Sequence, residues 1–135
     1  MSDFNEIVAR YRNGMSLRAL QEAAHKTALE KGWWDLEEDR EINPGTILRS
    51  RSLPEQIALM HSELSEALEE IRKPDARPFY LSENGKPEGW GVELADCVIR
   101  IMDTCRYYEQ DLQGLVEMKM KYNEGRPYKH GGKVL

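Results

Sequence analysis

Apolar residues recur along the chain mostly at intervals of three and four, which is the spacing of amphipathic α-helices, and strand-like alternation is scarce. Residues that begin and end helices divide this pattern into four predicted helices. Three of them have a capping residue before the first turn, namely Ser16, Ser52 and Asp111. The predicted helices cover approximately residues 17–31, 52–72, 92–108 and 112–123. The pattern therefore predicts an all-α fold.

The segments between these helices are rich in proline and glycine. Residues 73–91 hold three prolines and three glycines, and Asn84-Gly85 predicts a short hairpin within that loop. Asn43-Pro44-Gly45 predicts a turn. No internal repeat or interdomain linker interrupts the chain, so a single domain is expected over residues 1–135.

Composition supports a folded domain and excludes several other classes. Of the 135 residues, 40% are apolar and 32% are charged, which is unlike collagen, low-complexity or fully disordered chains. No apolar run approaches the roughly 20 residues that span a bilayer, and the start of the chain is polar and acidic. Cys97 and Cys105 are expected to be free thiols, because eight helical residues separate them by about 12 Å. We therefore expect a cytoplasmic protein without membrane contact.

Charge is distributed unevenly along the chain. The net charge of −5 disfavours nucleic acid as a partner. Residues 117–135 carry five basic and two acidic residues, so this end is +3 and the rest of the chain is −8. The basic end is either a solvated tail or a surface for an anionic partner.

Two pairs of carboxylates stand on consecutive predicted helices. Glu63 and Glu66 are three residues apart on the second helix, and Glu93 and Asp96 are three apart on the third, so each pair shares a helix face. Apolar residues cover more than half of the third helix, which predicts burial on several sides. Clustered carboxylates in such a setting repel one another unless a cation neutralises them. The alternative is that each pair forms a solvated helix edge with Arg100 as its partner.

The candidate ligands are all oxygens, and this narrows the choice of metal. No histidine stands at the Glu-x-x-His spacing of di-iron bundles, and the two cysteines do not form a zinc pattern. Carboxylate ligation favours Mg²⁺, with Mn²⁺ possible. Because Mg²⁺ completes its coordination shell with substrate phosphates, the acidic pairs and the basic end together indicate a phosphorylated substrate. Asp103, further along the third helix, either holds Arg100, which is the role we favour, or helps to bind a second metal.

The chain resembles the MazG-like all-α nucleotide pyrophosphohydrolases in the order of three segments. These are Glu63-Leu64-Ser65-Glu66, Glu93-Leu94-Ala95-Asp96 and the residues from Lys119 to Pro127. The similarity extends over roughly residues 17–133. It implies a four-helix-bundle-type domain that assembles as a homodimer or homotetramer. It also implies Mg²⁺-dependent cleavage of a ribo- or deoxyribonucleoside triphosphate to the monophosphate and pyrophosphate.

The resemblance also implies roles for particular residues. The metal ligands would be Glu63, Glu66, Glu93 and Asp96. Positions implied to contact the polyphosphate are Lys119, Asn123 and Arg126. Glu66 is our candidate for the base that activates water. The connection over residues 73–91 is longer than in the most compact members of the family, so its contribution to substrate choice is open.

Trp33 and Trp34 are candidate contacts for a nucleobase, and two functional classes other than the enzyme are compatible with the sequence. Trp33 and Trp34 either stack on a nucleobase or anchor a loop onto the core. A non-catalytic nucleotide-binding sensor or interaction domain is the alternative to the enzyme, although the four carboxylates argue against it. A helical metal store is a third class, and the basic end of the chain argues against that one.

Overall fold

The computed structural model describes residues 14–35, 40–43, 46–48 and 52–128. This part of the chain is mostly helical, which confirms the all-α class. Each helix lies within two residues of its predicted bounds. The helices are α1 (Leu17–Glu30), α2 (Leu53–Arg72), α3 (Trp90–Tyr107) and α4 (Leu112–Glu124). The prediction of one domain over residues 1–135 includes residues outside the described part and stays a prediction.

Two short antiparallel hairpins accompany these helices in the described residues. Strands β1 (Arg40–Asn43) and β2 (Thr46–Leu48) pair across the predicted turn, whose Pro44 and Gly45 lie outside the described part. The sequence did not predict these strands, because three or four residues are too few for alternation to register. Strands β3 (Tyr80–Leu81) and β4 (Pro87–Glu88) confirm the predicted hairpin around Asn84-Gly85.

The predicted capping residues all lie at helix starts, but they act differently. Ser16 Oγ accepts a hydrogen bond from the backbone N–H of Ala19 at 3.1 Å. Ahead of α2, the backbone N–H of Ser52 donates to Glu55 Oε2 at 2.8 Å, as a capping box requires. Asp111 precedes α4, and its carboxylate binds the guanidinium of Arg18 at 2.8 Å. This last contact ties the start of α4 to α1.

Helix α3 is the central element, because it packs against both α1 and α2. Cys97 Sγ donates to the Met60 carbonyl of α2 at 3.6 Å. On the α1 side, Gln21 Nε2 donates to the carbonyl of Gln110, just beyond α3, at 2.8 Å. Helix α4 has fewer contacts, with α1 and α3, and none of its residues is buried. The arrangement therefore places α2 and α1 on two sides of α3.

The core within one chain is small. The described part holds no fully buried large side chain, and Leu94, Val98 and Ile99 of α3 remain 41%, 48% and 46% exposed. Among the described elements, α1 and α2 make most of the contacts with α3, so the expected burial of α3 on several sides is only partly met within a single chain. Cys97 is buried and Cys105 partly buried, and both are free thiols as predicted. No described helix is long and apolar enough to cross a membrane.

The segment just before β3 is held against the start of α3 by backbone hydrogen bonds. The N–H of Trp90 donates to the Arg77 carbonyl at 3.2 Å, and the N–H of Gly91 donates to the Pro78 carbonyl at 3.0 Å. Gly89 has φ +117°, and a Cβ there would lie 2.7 Å from the Arg77 carbonyl oxygen. A residue without a side chain is therefore required where the hairpin meets α3.

Replacing Gly89 by alanine is expected to lower the free energy of unfolding by about 3 kcal/mol, because it adds a steric clash to a backbone conformation that only glycine adopts readily. Gly85→Ala is the matched control, since Gly85 has φ +74° but open space around it. That change is expected to cost only about 1 kcal/mol. Urea unfolding followed by circular dichroism measures both. Equal losses would show that the contact with residues 77–78 does not constrain Gly89.

Candidate metal centre

Helices α2 and α3 bring three carboxylates together. One oxygen each from Glu63, Glu66 and Glu93 lies within 4.8 Å of the other two. Glu63 and Glu66 are almost one turn apart on α2, and Glu93 lies in the first turn of α3. We call these three residues the carboxylate group. The structure thus brings together three of the four predicted metal ligands.

The three members of the carboxylate group differ in their access to solvent. Glu63 is buried, with 6% of its surface exposed. Glu93 is partly buried and Glu66 is exposed. Arg100 Nε donates to Glu63 Oε1 at 2.5 Å. The alternative in which Arg100 serves as a partner is therefore correct for Glu63, but Glu63 is not on a solvated edge.

Asp96 lies beside the carboxylate group without belonging to it. Burial raises the pKa of the Asp96 carboxyl above its ordinary value, and the charge of Glu63 raises it further. Arg100 and Lys86 act in the opposite direction and lower this pKa. Asp96 therefore shares the electrostatic environment of the group, and its role as a metal ligand stays a prediction.

Crowding of negative charge is also evident at Glu93. Burial is the main cause that raises the pKa of Glu93, followed by repulsion from Glu66, Asp96 and Glu63. Lys86 partly offsets these causes. Both Glu93 and Asp96 therefore bind a proton more readily than an isolated carboxylate does, as expected for partly buried carboxylates that lie close to one another.

Lys86 is a candidate site residue that the sequence analysis missed. It follows the Asn84-Gly85 turn of the β3–β4 hairpin, and its charge lowers the pKa of both Glu93 and Asp96. Its ammonium also lies 3.7 Å from a carboxylate oxygen of Glu88. The predicted hairpin was the available signal, because a hairpin directly before α3 brings its turn residues near the first turn of that helix.

The predicted phosphate contacts on α4 are not connected to the carboxylate group in a single chain. Lys119 lies over the ring of Tyr122, with its ammonium 4.7 Å from the ring centroid, and Arg126 lies 5.9 Å from the same centroid. Both side chains and Asn123 are exposed. In residues 112–128, no hydrogen bond or ion pair joins these three residues to the carboxylates of α2 and α3. Their role stays a prediction.

A second polar cluster lies between α1 and α3, around Asp103. Its carboxylate contacts His25 Nδ1 at 2.8 Å and accepts from Trp34 Nε1 at 2.8 and 3.0 Å. Asp103 was expected to hold Arg100, and that expectation is wrong because α1 and the turn after it supply its partners. Trp34 also stacks on Tyr107, with ring centroids 3.8 Å apart and planes 8° apart.

The two tryptophans are therefore in different situations. Trp34 makes the contacts expected of a loop anchor, since both its indole nitrogen and its ring face are engaged. Trp33 is 52% exposed. Contact of either residue with a nucleobase stays a prediction.

The donor set of the carboxylate group fits a hard divalent cation. All three donors are carboxylate oxygens, which are the ligands that Mg²⁺ and Mn²⁺ prefer. Glu66 and Glu93 have access to solvent, so water and a substrate oxygen can complete a coordination shell. Burial and then repulsion from Glu66, Asp96 and Glu63 raise the pKa of Glu93, so nearby positive charge would favour its ionised form.

Comparison with known proteins adds no assignment. The chain matches no protein-family model, and neither a curated protein nor a solved structure matches it. The residues of the carboxylate group and their surroundings are therefore the basis on which a function can be proposed for this chain.

Without metal, the free energy of unfolding is expected to fall as pH rises through the raised pKa values of Glu93 and Asp96. In the unfolded chain these carboxyls titrate near their ordinary values of 4.5 and 3.8. The folded state binds their protons more tightly, so it is favoured at low pH and loses that advantage above the raised values. Urea unfolding in the presence of a chelator measures this dependence.

Glu93→Gln is expected to weaken this pH dependence and to increase the stability of the metal-free protein at neutral pH. Glu69→Gln is the control, because Glu69 is exposed and pairs with Arg72 at 3.0 Å on the same helix as Glu66. A pH dependence that Glu93→Gln leaves unchanged would show that the carboxylate group is not its source.

Proposed function

We propose that this chain is a Mg²⁺-dependent nucleotide pyrophosphohydrolase that cleaves a ribo- or deoxyribonucleoside triphosphate to the monophosphate and pyrophosphate. The observation that carries the proposal is the convergence of the Glu63, Glu66 and Glu93 carboxylates within 4.8 Å. Their order in the sequence, followed by the Lys119–Pro127 segment, supports the same reaction through its resemblance to MazG-like enzymes.

Glu63, Glu66 and Glu93 would hold the cation, with Asp96 beside them. A bound Mg²⁺ supplies charge neutralisation at the phosphate oxygens during displacement, and Mn²⁺ is a plausible substitute. Glu63 is buried, so it would bind the cation on the side away from solvent. Glu93 lies at the start of α3, where the helix dipole favours negative charge.

Glu66 would accept the proton of the attacking water. It is the exposed member of the carboxylate group, whereas Glu63 is buried against Arg100. A general base needs both access to water and a position next to the metal-bound phosphate. Glu66 combines the two, because its oxygen lies within 4.8 Å of the other carboxylates.

Basic residues outside the carboxylate group would contact the polyphosphate. Lys119, Asn123 and Arg126 are exposed along the last turns of α4 and just beyond it, and Lys86 approaches the group from the hairpin. Trp33 would contact the base of the nucleotide, because it is 52% exposed, whereas the ring face and the indole nitrogen of Trp34 are already engaged by Tyr107 and Asp103. Binding of the outer phosphates by α4 requires that α4 reach a carboxylate group, in its own chain or in a second copy.

A second copy of the chain would complete a four-helix bundle around α2 and α3. On α2 an apolar stripe is exposed at helical spacing, comprising Ile57, Leu64, Leu68 and Ile71, each between 43% and 54% exposed. Leu94, Val98 and Ile99 of α3 form a comparable exposed set. Exposed apolar stripes on two packed helices are typical of an interface between subunits. A homodimer or homotetramer would cover them.

The alternative is a nucleotide-binding sensor or interaction domain without catalysis. The Arg100–Glu63 ion pair favours this alternative, because Arg100 neutralises a buried carboxylate without a metal. The reaction products separate the two functions, since only the enzyme releases pyrophosphate.

Glu66→Gln is expected to lower the rate of pyrophosphate release by at least about 100-fold, because the amide cannot accept a proton from water. The assay uses a panel of ribo- and deoxyribonucleoside triphosphates with Mg²⁺ and separates pyrophosphate from phosphate. Glu69→Gln is the control, since it removes an exposed carboxylate three residues away on α2.

Release of phosphate instead of pyrophosphate would contradict the proposed bond cleavage. Binding of triphosphates without any turnover by the wild type would support the sensor. Equal activity of the Glu66→Gln and wild-type proteins would remove Glu66 from the mechanism.

Leu68→Glu is expected to shift the protein to monomers of 15.7 kDa, because a charge in the apolar stripe opposes burial between subunits. Light scattering coupled to size-exclusion chromatography measures the mass. Leu29→Glu is the matched control, because Leu29 is 50% exposed on α1 and Leu68 is 53% exposed on α2. A monomeric wild type would contradict the assembly.

A further inference from the structure

Arg100 contacts the carboxylate group at its most buried member. Its Nε donates to Glu63 Oε1 at 2.5 Å, and the side chains of Arg100 and Glu63 are 33% and 8% exposed. The two residues belong to the two helices that build the group. Arg100 is therefore a positive charge placed where the proposed function requires a divalent cation to bind.

The contact uses a small part of the guanidinium's capacity. An arginine offers five N–H donors, and Arg100 employs only its Nε–H toward Glu63. Its Nη groups donate to no residue in the described part of the chain. By contrast, Arg18 binds Asp111 through both Nε and Nη2, in three hydrogen bonds. Arg100 thus contacts Glu63 through a single hydrogen bond, and one-third of the Arg100 side chain is exposed to solvent.

The charges around Glu63 favour its contact with Arg100 in the absence of a metal and oppose that contact when a metal is bound. A buried carboxylate beside two other carboxylates needs a counter-ion when no metal is present, and Arg100 supplies it. A divalent ion on the same carboxylate would repel the guanidinium. At a separation near 5 Å in water this repulsion corresponds to a change of about tenfold in a dissociation constant.

We propose that Arg100 is an exchangeable counter-ion of the metal site. It holds Glu63 while the carboxylate group lacks a divalent cation, and it leaves Glu63 when the cation binds. The released guanidinium then has its donors available for a phosphate oxygen of the nucleotide. This inference rests on the proposed function, because it requires that Glu63, Glu66 and Glu93 hold a metal.

Calorimetric titration of the full-length, chelator-treated protein with Mn²⁺ alone tests the exchange. Arg100→Gln is expected to bind Mn²⁺ about tenfold more tightly than the wild type, because no cation has to leave Glu63. Arg106→Gln is the matched control: Arg106 also lies on α3 and its Nε donates to Glu22 Oε1 at 2.6 Å. It stands six residues from Arg100, about 9 Å along the helix, and its loss should change affinity less than twofold.

A second measurement uses the wild-type protein and does not depend on the folding of a variant. The Nε–Hε signal of Arg100 in a ¹⁵N nuclear magnetic resonance spectrum should be protected from exchange in the metal-free protein. Adding Mg²⁺ should remove that protection and shift the signal, whereas the Arg106 signal should not change. Arg100→Lys identifies the signal by its absence.

Two results would overturn the proposal: Mn²⁺ affinity that is equal or weaker in Arg100→Gln, or an Arg100 signal that saturating Mg²⁺ leaves unchanged. Either result would mean that Arg100 stays on Glu63 and orients it. Failure of the proposed function has a different signature. In that case neither the wild type nor Arg100→Gln would bind Mn²⁺, or Mn²⁺ binding would persist after Glu63→Gln and Glu93→Gln. Either result would contradict the metal site and, with it, the exchange of Arg100.

Discussion

The carboxylates that α2 and α3 bring together repel one another, and this repulsion is the constraint on which the proposed site and its chemistry depend. Glu63, Glu66 and Glu93 lie within 4.8 Å of one another, and Glu63 is buried. Such an arrangement is unfavourable unless positive charge is supplied. The chain supplies some of it through Arg100 and Lys86, while burial and, after it, the neighbouring carboxylates raise the pKa of Glu93. These three carboxylate oxygens are a donor set that could hold a divalent cation.

The same two helices connect the site to the proposed assembly. The face of α3 toward α1 is covered and holds the Asp103 cluster, whereas large apolar side chains elsewhere on α2 and α3 remain exposed. The proposed second copy would cover these exposed apolar stripes and enlarge the small core. The elements that carry the carboxylates would then be the elements that meet a second copy. Assembly and metal binding are therefore expected to stabilise one another.

The sequence predicted those features that depend on local spacing. Helical periodicity and capping residues defined α1 to α4 within two residues, and Asn84-Gly85 predicted the β3–β4 hairpin. The three-residue spacing of Glu63 and Glu66 placed both on one helix face, and the acidic start of α3 indicated where their partner would lie. Local rules suffice in these cases because the partners are neighbours on one helix or across one turn.

Features that depend on contacts distant in the sequence were not predictable in the same way. Asp103 takes its partners from α1 and from Trp34, 78 and 69 residues away, and Arg100 pairs with Glu63 of α2 instead. Strands β1 and β2 are too short for alternation to reveal them. The exposed position of Lys119 and Arg126 on or near α4 follows from the few contacts of that helix, which no local pattern specifies.

The most direct test of the central claim is anomalous X-ray diffraction from crystals of the full chain grown with Mn²⁺. The account predicts an anomalous peak bounded by the carboxylates of Glu63, Glu66 and Glu93, and no such peak in crystals of a Glu63→Gln/Glu93→Gln variant. Well-ordered density for the three carboxylates at saturating Mn²⁺, without an anomalous peak among them, would contradict it.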